Sequence, residues 1–136
     1  MPATAQEIAL AVARLNRRLR QERHSELTPT QLSVLGSLRS TGPTTPGALA
    51  AHEKVSPPSI TRTLSSLAEL GMTDRAPHPD DGRQVVVSVS ELGEKVLSEE
   101  RERRDAWLYL RLQELDPTDR EVLTEAARIL TRLAES

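Results

Sequence analysis

The feature that most constrains the fold of this chain is a hydroxyl or carboxylate residue followed directly by proline, at four places. The side-chain oxygens of Ser, Thr and Asp cap the first N–H groups of a helix. Proline suits the first helical position, where its missing N–H needs no partner. Each pair therefore predicts where a helix begins. The four pairs are Thr28-Pro29, Thr45-Pro46, Ser56-Pro57 and Asp116-Pro117.

The apolar residues between these starts recur every three or four positions, which is typical of amphipathic helices. After Gly71 the spacing changes to alternation, which predicts a hairpin, and Ser90 then caps a further helix. The predicted order is a helix over about 5–22, helices from Pro29, Pro46 and Pro57, strand 72–76, turn 78–82, a strand with Val85, Val87 and Val89, a long helix over about 90–114 and a last helix from Pro117.

Composition limits the function classes. The 136 residues, of which 37% are hydrophobic and 28% charged, suit a single domain with a core. Without cysteine, disulfides and thiolate metal sites are excluded. The three histidines, His24, His52 and His78, lack the spacing of a zinc site and are predicted to be surface residues. We find no nucleophile–base pair and no phosphate-binding glycine loop, so the sequence predicts neither an enzyme nor a cofactor.

Hydropathy and residue usage predict a bacterial, cytoplasmic protein. No apolar run approaches the ~18 residues of a transmembrane helix. The first residues lack the basic head, apolar block and cleavage site of a signal peptide. Arginine outnumbers lysine by 16 to 2, which is a bias typical of GC-rich bacterial genomes.

Two short helices joined by a tight turn, the second with a polar outer face, are typical of a helix-turn-helix. If Ile60, Leu64 and Leu67 face inward, the opposite face of the second helix is polar. Small hydroxyl side chains allow close approach to a DNA groove, and arginine is the commonest reader of guanine. A helix face exposed only to solvent would have a similar composition. The outer face holds Pro58, Arg62, Ser65 and Glu69, flanked by Ser59, Thr61 and Ser66.

The hairpin adds a second basic element. Arg75 and Arg83 flank a turn that contains Asp80 and Asp81. An arginine on a protruding hairpin can enter the minor groove of DNA, where the negative potential favours it. Asp81 is close enough in sequence to hold Arg83 in position. A solvated ion pair would explain the turn, but it would not explain why the turn directly follows a helix-turn-helix.

Charge and apolar pattern divide the chain. Residues 54–83 carry four basic and four acidic residues, whereas residues 84–136 carry eight basic and twelve acidic residues. A polyanion would therefore be bound by the part of the chain before residue 84, which lacks this excess of negative charge. The first and last helices have apolar stripes that a small central unit cannot cover, which predicts packing against a second copy of the chain.

Several segments together resemble the MarR-type winged-helix transcription regulators, over nearly the whole chain. The most specific is the Asp-x-Arg of the wing, Asp81 and Arg83, followed by a valine-rich strand. The matching segments are "LTPTQLSVLGSL" (27–38), "TTPGALAAHEKVSPPSITRTLSSLAELGMTDR" (44–75), "DDGRQVVVSVSELG" (80–93) and the two C-terminal helices.

The resemblance implies a mainly α, winged helix-turn-helix fold with about six helices and a two- to three-stranded β wing. It implies one domain, 1–136, in which 27–90 form the DNA-binding lobe and 1–22 with 91–136 form a dimerisation lobe. The implied major-groove residues are Ser56, Pro58, Ser59, Thr61, Arg62 and Ser65. The implied wing residues are Arg83, which enters the minor groove, and its neighbours Asp81 and Arg75.

The implied function is that of a homodimeric repressor on a pseudo-palindromic double-stranded operator, with half-sites ~34 Å apart. The resemblance also implies release by a small-molecule effector, phenolic or aromatic. The alternative is a winged-helix protein–protein interaction module that does not bind DNA, which the zero net charge of residues 54–83 favours.

Overall fold

A computed structural model of the chain describes residues 2–23 and 26–136, so His24 lies outside the described residues. The predicted order of elements is confirmed in the described part of the chain, with the first strand beginning one residue later than expected. The elements are α1 (Ala5–Gln21), α2 (Pro29–Thr41), α3 (Pro46–Glu53), α4 (Pro57–Glu69), β1 (Thr73–Pro77), β2 (Val85–Val89), α5 (Glu91–Gln113) and α6 (Pro117–Glu135).

The four predicted helix starts are confirmed with their caps. The side chains of Thr45, Ser56 and Asp116 each accept a hydrogen bond from the N–H three residues later. Thr28 and Gln31 form a capping box, in which each side chain accepts from the backbone N–H of the other, at 3.1 and 2.9 Å. Two N–H groups that a helix would otherwise leave unpaired are satisfied there.

The chain divides into two compact units. The central unit is Arg23–Glu102, and the terminal unit combines Met1–Glu22 with Arg103–Ser136. The division falls within α5, which contributes residues to both units. None of the six helices in the described residues combines the length and the apolar content needed to cross a membrane.

The hydrophobic core lies in the central unit. Ile60, Leu64 and Leu67 of α4 are at most 1% exposed, which confirms the predicted inward face of this helix. Their spacing of four and three residues places them on one side of the helix. They pack with buried side chains from α2, α3 and β2, of which the largest are Leu35, Leu38, Leu49 and Val87.

The two strands form an antiparallel hairpin in which Thr73 pairs with Val89 and Pro77 with Val85. An isolated bridge adds one residue at the other edge of β2, where Thr44 and Val87 exchange backbone hydrogen bonds of 3.0 and 2.8 Å. The sheet is therefore two-stranded with a single bridging residue, within the predicted range of two to three strands.

Ser90 joins the hairpin to α5. Its hydroxyl donates to the Gly71 carbonyl at 2.6 Å and accepts from the Gly93 N–H at 3.0 Å, as a helix cap does. Its own N–H donates to the Met72 carbonyl at 2.9 Å. Gly71 has a φ of +78°, which glycine adopts without strain and which ends the α4 segment. These bonds hold the first turn of α5 directly against the backbone of the hairpin.

The terminal unit exposes large apolar side chains on two of its helices. No residue of α1 or α6 is buried, although both helices carry large aliphatic side chains. Trp107, one of the two aromatic residues of this unit, has two guanidinium groups over its ring, those of Arg18 at 5.0 Å and Arg111 at 5.7 Å from the ring centre. The exposed aliphatic side chains of these two helices are Ile8, Leu10, Val12, Leu15, Val122, Leu123, Ile129, Leu130 and Leu133.

Candidate nucleic-acid interface

The first turn of α4 presents hydroxyl groups in place of free backbone donors. Ser56 Oγ accepts from the Ser59 N–H at 3.3 Å and donates its proton to Ser59 Oγ at 3.0 Å. Pro57 and Pro58 occupy the first two helical positions, and proline has no N–H to offer a phosphate. Polar contacts at this end of the helix would therefore come mainly from side chains.

Arg62 lies one turn further along the same face. Its Nη2 donates a long hydrogen bond, 3.5 Å, to Ser59 Oγ. Ser59 is half-buried and Arg62 is exposed, so the serine contacts one terminal nitrogen of the guanidinium and leaves the rest of the group open to solvent. The structure thus brings three of the predicted major-groove residues, Ser56, Ser59 and Arg62, into one hydrogen-bonded series.

The other predicted residues of this helix are also on its outer side. Pro58, Thr61 and Ser65 are exposed. The Thr61 hydroxyl donates to the Pro57 carbonyl at 3.0 Å, so its proton is used within the helix. The outward surface of α4 before its last turn, where the exposed Glu69 lies, combines one cation with several small oxygen-bearing side chains, a composition that allows close approach to a groove.

A polar contact between α2 and α4 was not predicted from the sequence. Gln31 Nε2 donates to Ser66 Oγ at 3.1 Å, and Ser66 Oγ donates to the Thr63 carbonyl at 2.8 Å. Gln31 also completes the capping box with Thr28. Because the amide also has two N–H donors, it can cap its own helix and tie α2 to α4 at once, which helps to fix the position of α4.

The turn before α4 is fixed by a carboxylate. Glu53, the last residue of α3, accepts hydrogen bonds from Ser33 at 3.3 Å and from Ser37, both on α2. Lys54 then adopts the left-handed conformation, with a φ of +58°. A lysine accepts that conformation at some cost, so the surrounding contacts must hold the turn. The angle at which the chain enters α4 is therefore specified.

The wing carries an almost fully exposed basic side chain. The Arg83 side chain is 92% exposed, and its Nε lies 3.1 Å from Asp81 Oδ1. The Arg83 backbone N–H donates to the same oxygen at 3.1 Å. One carboxylate oxygen thus fixes both the backbone and the side chain of Arg83.

Arg75 is placed differently from Arg83. It lies within β1, paired in register with Val87 and exposed, whereas Arg83 lies in the turn. The structure does not bring the Arg75 side chain into the Asp81–Arg83 pair.

His78 has a structural position that the sequence analysis missed. Its Nδ1 accepts hydrogen bonds from the N–H groups of Asp80 at 3.1 Å and Asp81 at 3.2 Å. Its backbone N–H donates to the Gln84 carbonyl at 3.0 Å, which closes the wing loop. One feature of the sequence could have predicted these bonds: a side-chain acceptor at the start of a turn often accepts from the N–H groups two and three residues later.

Comparison with known proteins decides the family. The MarR family model matches residues 27–85. An uncharacterised HTH-type transcriptional regulator of Mycobacterium bovis is 47% identical over 132 residues, which cover 96% of this chain and 92% of the relative. The chain belongs to the MarR family.

Solved structures agree with the MarR fold. A proposed transcriptional regulator of Pseudomonas aeruginosa is 35% identical, with a TM-score of 0.82 over 98% of this chain and 99% of the other. A mutant MarR of Escherichia coli, solved in complex with operator DNA, is 23% identical, with a TM-score of 0.65 over 90% of this chain and 89% of the other. The predicted winged helix-turn-helix is confirmed.

Membership of the MarR family also confirms two predictions about activity. The protein is an HTH-type transcriptional regulator, as its relatives are, and it is not an enzyme. In this MarR-family fold, α3, the Lys54 turn and α4 form the helix-turn-helix, and β1 and β2 form the wing. The residues predicted to contact DNA therefore lie on the helix-turn-helix and the wing of this fold.

Proposed function

We propose that this protein binds double-stranded DNA as a homodimer, at a pseudo-palindromic operator, and represses transcription there. Each α4 enters the major groove, and each wing places Arg83 in the minor groove. The proposed major-groove residues are Ser56, Pro58, Ser59, Thr61, Arg62 and Ser65, and the proposed wing residues are Arg83, Asp81 and Arg75.

The proposal depends above all on two exposed arginines, Arg62 and Arg83, each already held by a neighbouring side chain. Preorganised side chains lose less conformational freedom on binding than free ones. The small side chains around Arg62 allow α4 to enter the major groove, which is about 12 Å wide. The E. coli MarR, a protein of the same fold, was solved in complex with operator DNA, which supports DNA binding by this fold.

The homodimer is supported by the uncovered apolar surface of the terminal unit. Ile129 is 47% exposed, Leu130 41% and Leu133 61%, and all three lie on one side of α6. Single exposed aliphatic residues are ordinary, but a continuous apolar stripe on each of two helices is not. A two-fold dimer would cover equivalent stripes on both copies and would present two α4 helices to one operator.

The experiment that tests the proposal is a mobility-shift titration at increasing salt, on fragments from the neighbourhood of the gene. Each phosphate that the protein neutralises contributes about −0.9 to the slope of log K against log salt. We expect a steep loss of affinity with salt. A flat response, or no shift on any genomic fragment, would instead support a protein–protein interaction module, which the balanced charge of residues 54–83 favours.

Arg83→Ala is expected to lower operator affinity by about tenfold or more. Each wing contact is worth about 1–3 kcal/mol, and 1.4 kcal/mol is tenfold. Fluorescence anisotropy with labelled operator measures the loss, and sedimentation confirms that the dimer persists. Arg128→Ala is the matched control, since Arg128 is also an exposed arginine paired with a carboxylate, Glu125 at 2.6 Å, but lies on α6. Equal losses in both variants would remove the wing from the proposal.

Arg62→Ala is expected to relax base preference as well as affinity. A bidentate arginine–guanine contact discriminates against the wrong base by about 1–3 kcal/mol. Competition between the operator and single-base variants of it measures that discrimination. A uniform loss across all DNA sequences would show that Arg62 contacts phosphate and does not read a base. Arg62→Lys separates the two, because lysine keeps the charge without the planar fork.

We also propose that a small-molecule effector, phenolic or aromatic, releases the operator. This part rests on membership of the MarR family. Titrating the protein–operator complex with a panel of phenolic carboxylates tests it, with an aliphatic acid of the same charge as the control. An equal response to both acids would contradict an effector of this class.

A further inference from the structure

We infer that His78 is a positioning residue for the wing, and that it acts on DNA binding through Asp81 and Arg83 without touching DNA itself. The inference rests on the proposed function, because its readout is the contact that Arg83 makes with the operator. It assigns His78 a role that differs from that of a solvated surface histidine or of a direct phosphate ligand.

The imidazole of His78 organises the backbone of the turn. Its Nδ1 accepts from two successive backbone N–H groups, those of Asp80 and Asp81, at 3.1 and 3.2 Å. A ring that accepts at Nδ1 carries its proton on Nε2. His78 is half-buried, whereas its sequence neighbours Pro77 and Pro79 are exposed. The residue is therefore packed into the turn and is not merely projecting from it.

The backbone of the same residue closes the loop. The His78 N–H donates to the Gln84 carbonyl at 3.0 Å, and the Gln84 N–H donates to the Asp81 carbonyl at 2.9 Å. Asp81 is thus held at its N–H by the imidazole and at its carbonyl by Gln84. Both peptide groups of Asp81 are fixed, so the direction of its side chain is restricted.

Asp81 transmits this restriction to Arg83. Its Oδ1 accepts from the Arg83 N–H and from the Arg83 Nε, both at 3.1 Å. Among the described residues, Asp81 is the only polar partner of the Arg83 side chain. An ion pair this exposed contributes little by itself. The orientation of the guanidinium thus depends on how firmly Asp81 is held, and so on His78.

Asparagine offers a conservative replacement for this role. Its Oδ1 occupies a position along the side chain that corresponds to Nδ1 of histidine, and asparagine commonly bonds the backbone N–H two residues later in turns. His78→Asn therefore keeps the acceptor while removing the ring and its proton. His78→Leu keeps apolar bulk while removing the acceptor.

A double-mutant cycle with Arg83→Ala tests the inference on the full chain, with operator affinity as the readout. We expect His78→Leu to weaken binding about five- to tenfold, the equivalent of losing roughly one net hydrogen bond to the turn. In the Arg83→Ala background the same change should have no further effect. His78→Asn should bind within about twofold of the wild type, a difference smaller than one hydrogen bond is worth.

The outcomes separate the inference from the proposed function. Equal losses from His78→Leu with and without Arg83 would overturn positioning and indicate a direct contact of His78 with DNA. A loss of affinity in His78→Asn as large as that in His78→Leu would overturn the inference as well. If Arg83→Ala alone left affinity unchanged, the wing's role in DNA binding would fail first, and the positioning inference with it. Amide hydrogen exchange at Asp80 and Asp81, faster in His78→Leu than in His78→Asn, is the DNA-free result that we expect.

Discussion

Replacing Ile129 with glutamate is expected to leave the protein monomeric and to lower its operator affinity by about 10²- to 10⁴-fold. Ile129 lies within the apolar stripe of α6 and is 47% exposed, with Leu130 and Leu133 beside it. A carboxylate at this position would have to be desolvated without a partner when two stripes meet. Without the dimer, each half-site would be bound independently, and the gain from linking two binding modules would be lost.

Thr124→Glu is the matched control for this change. Thr124 is exposed, and the helical period places it on the side of α6 opposite the apolar stripe. Analytical ultracentrifugation should find Thr124→Glu dimeric and Ile129→Glu monomeric. The core cluster contains no residue of α6, so both variants should keep the unfolding transition of the central unit. A dimer that survives Ile129→Glu at micromolar concentration would contradict the proposed interface.

Gly93→Ala is expected to have the largest effect on stability, with a loss of about 3 kcal/mol or more. A methyl group on Gly93 would collide with the Met72 carbonyl oxygen and approach Val89 Cγ1 to 2.8 Å. The Met72 carbonyl cannot easily withdraw, because it accepts the Ser90 N–H at 2.9 Å. Relief of the collision would therefore break the junction between the hairpin and α5.

Thermal unfolding measures this loss, which should lower the Tm by roughly 10 °C or more in a domain of this size. Gly36→Ala provides the matched control. Gly36 lies inside α2, and an added Cβ there meets nothing within 4 Å. Alanine favours the helix over glycine by up to about 1 kcal/mol, so this variant should be unchanged or more stable. A Gly93→Ala protein with wild-type Tm would show that the junction can adjust.

The helices could be predicted from the sequence because their determinants are local. Each cap-and-proline pair satisfies N–H groups within four residues of itself, so Ser56-Pro57 predicts the start of α4 without knowledge of the rest of the chain. The inward face of α4 followed from the spacing of Ile60, Leu64 and Leu67. The Asp81–Arg83 pair could also be predicted, because the two residues are only two positions apart in the sequence.

The contacts that were missed depend on tertiary position. Gln31 and Ser66 are 35 residues apart, and nothing in their local sequence indicates that α2 and α4 place them together. The same is true of Gly93, whose absent Cβ matters only because the Met72 backbone lies against it. His78 is intermediate, because its bonds are local but histidine is less usual than asparagine or aspartate in this role.

The hydroxyl groups of α4 have a directional consequence for what the helix can recognise. Thr61, Thr63 and Ser66 each donate their proton to a backbone carbonyl three or four residues earlier. The exposed Thr61 therefore turns oxygen lone pairs outward, whereas Arg62 offers only N–H donors. In the major groove, lone pairs complement the amino groups of adenine and cytosine, and a guanidinium complements guanine. We therefore expect the half-sites that the protein selects from a random DNA pool to place adenine or cytosine next to a guanine. Thr61 would accept from the amino group of the first base, and Arg62 would donate to the guanine.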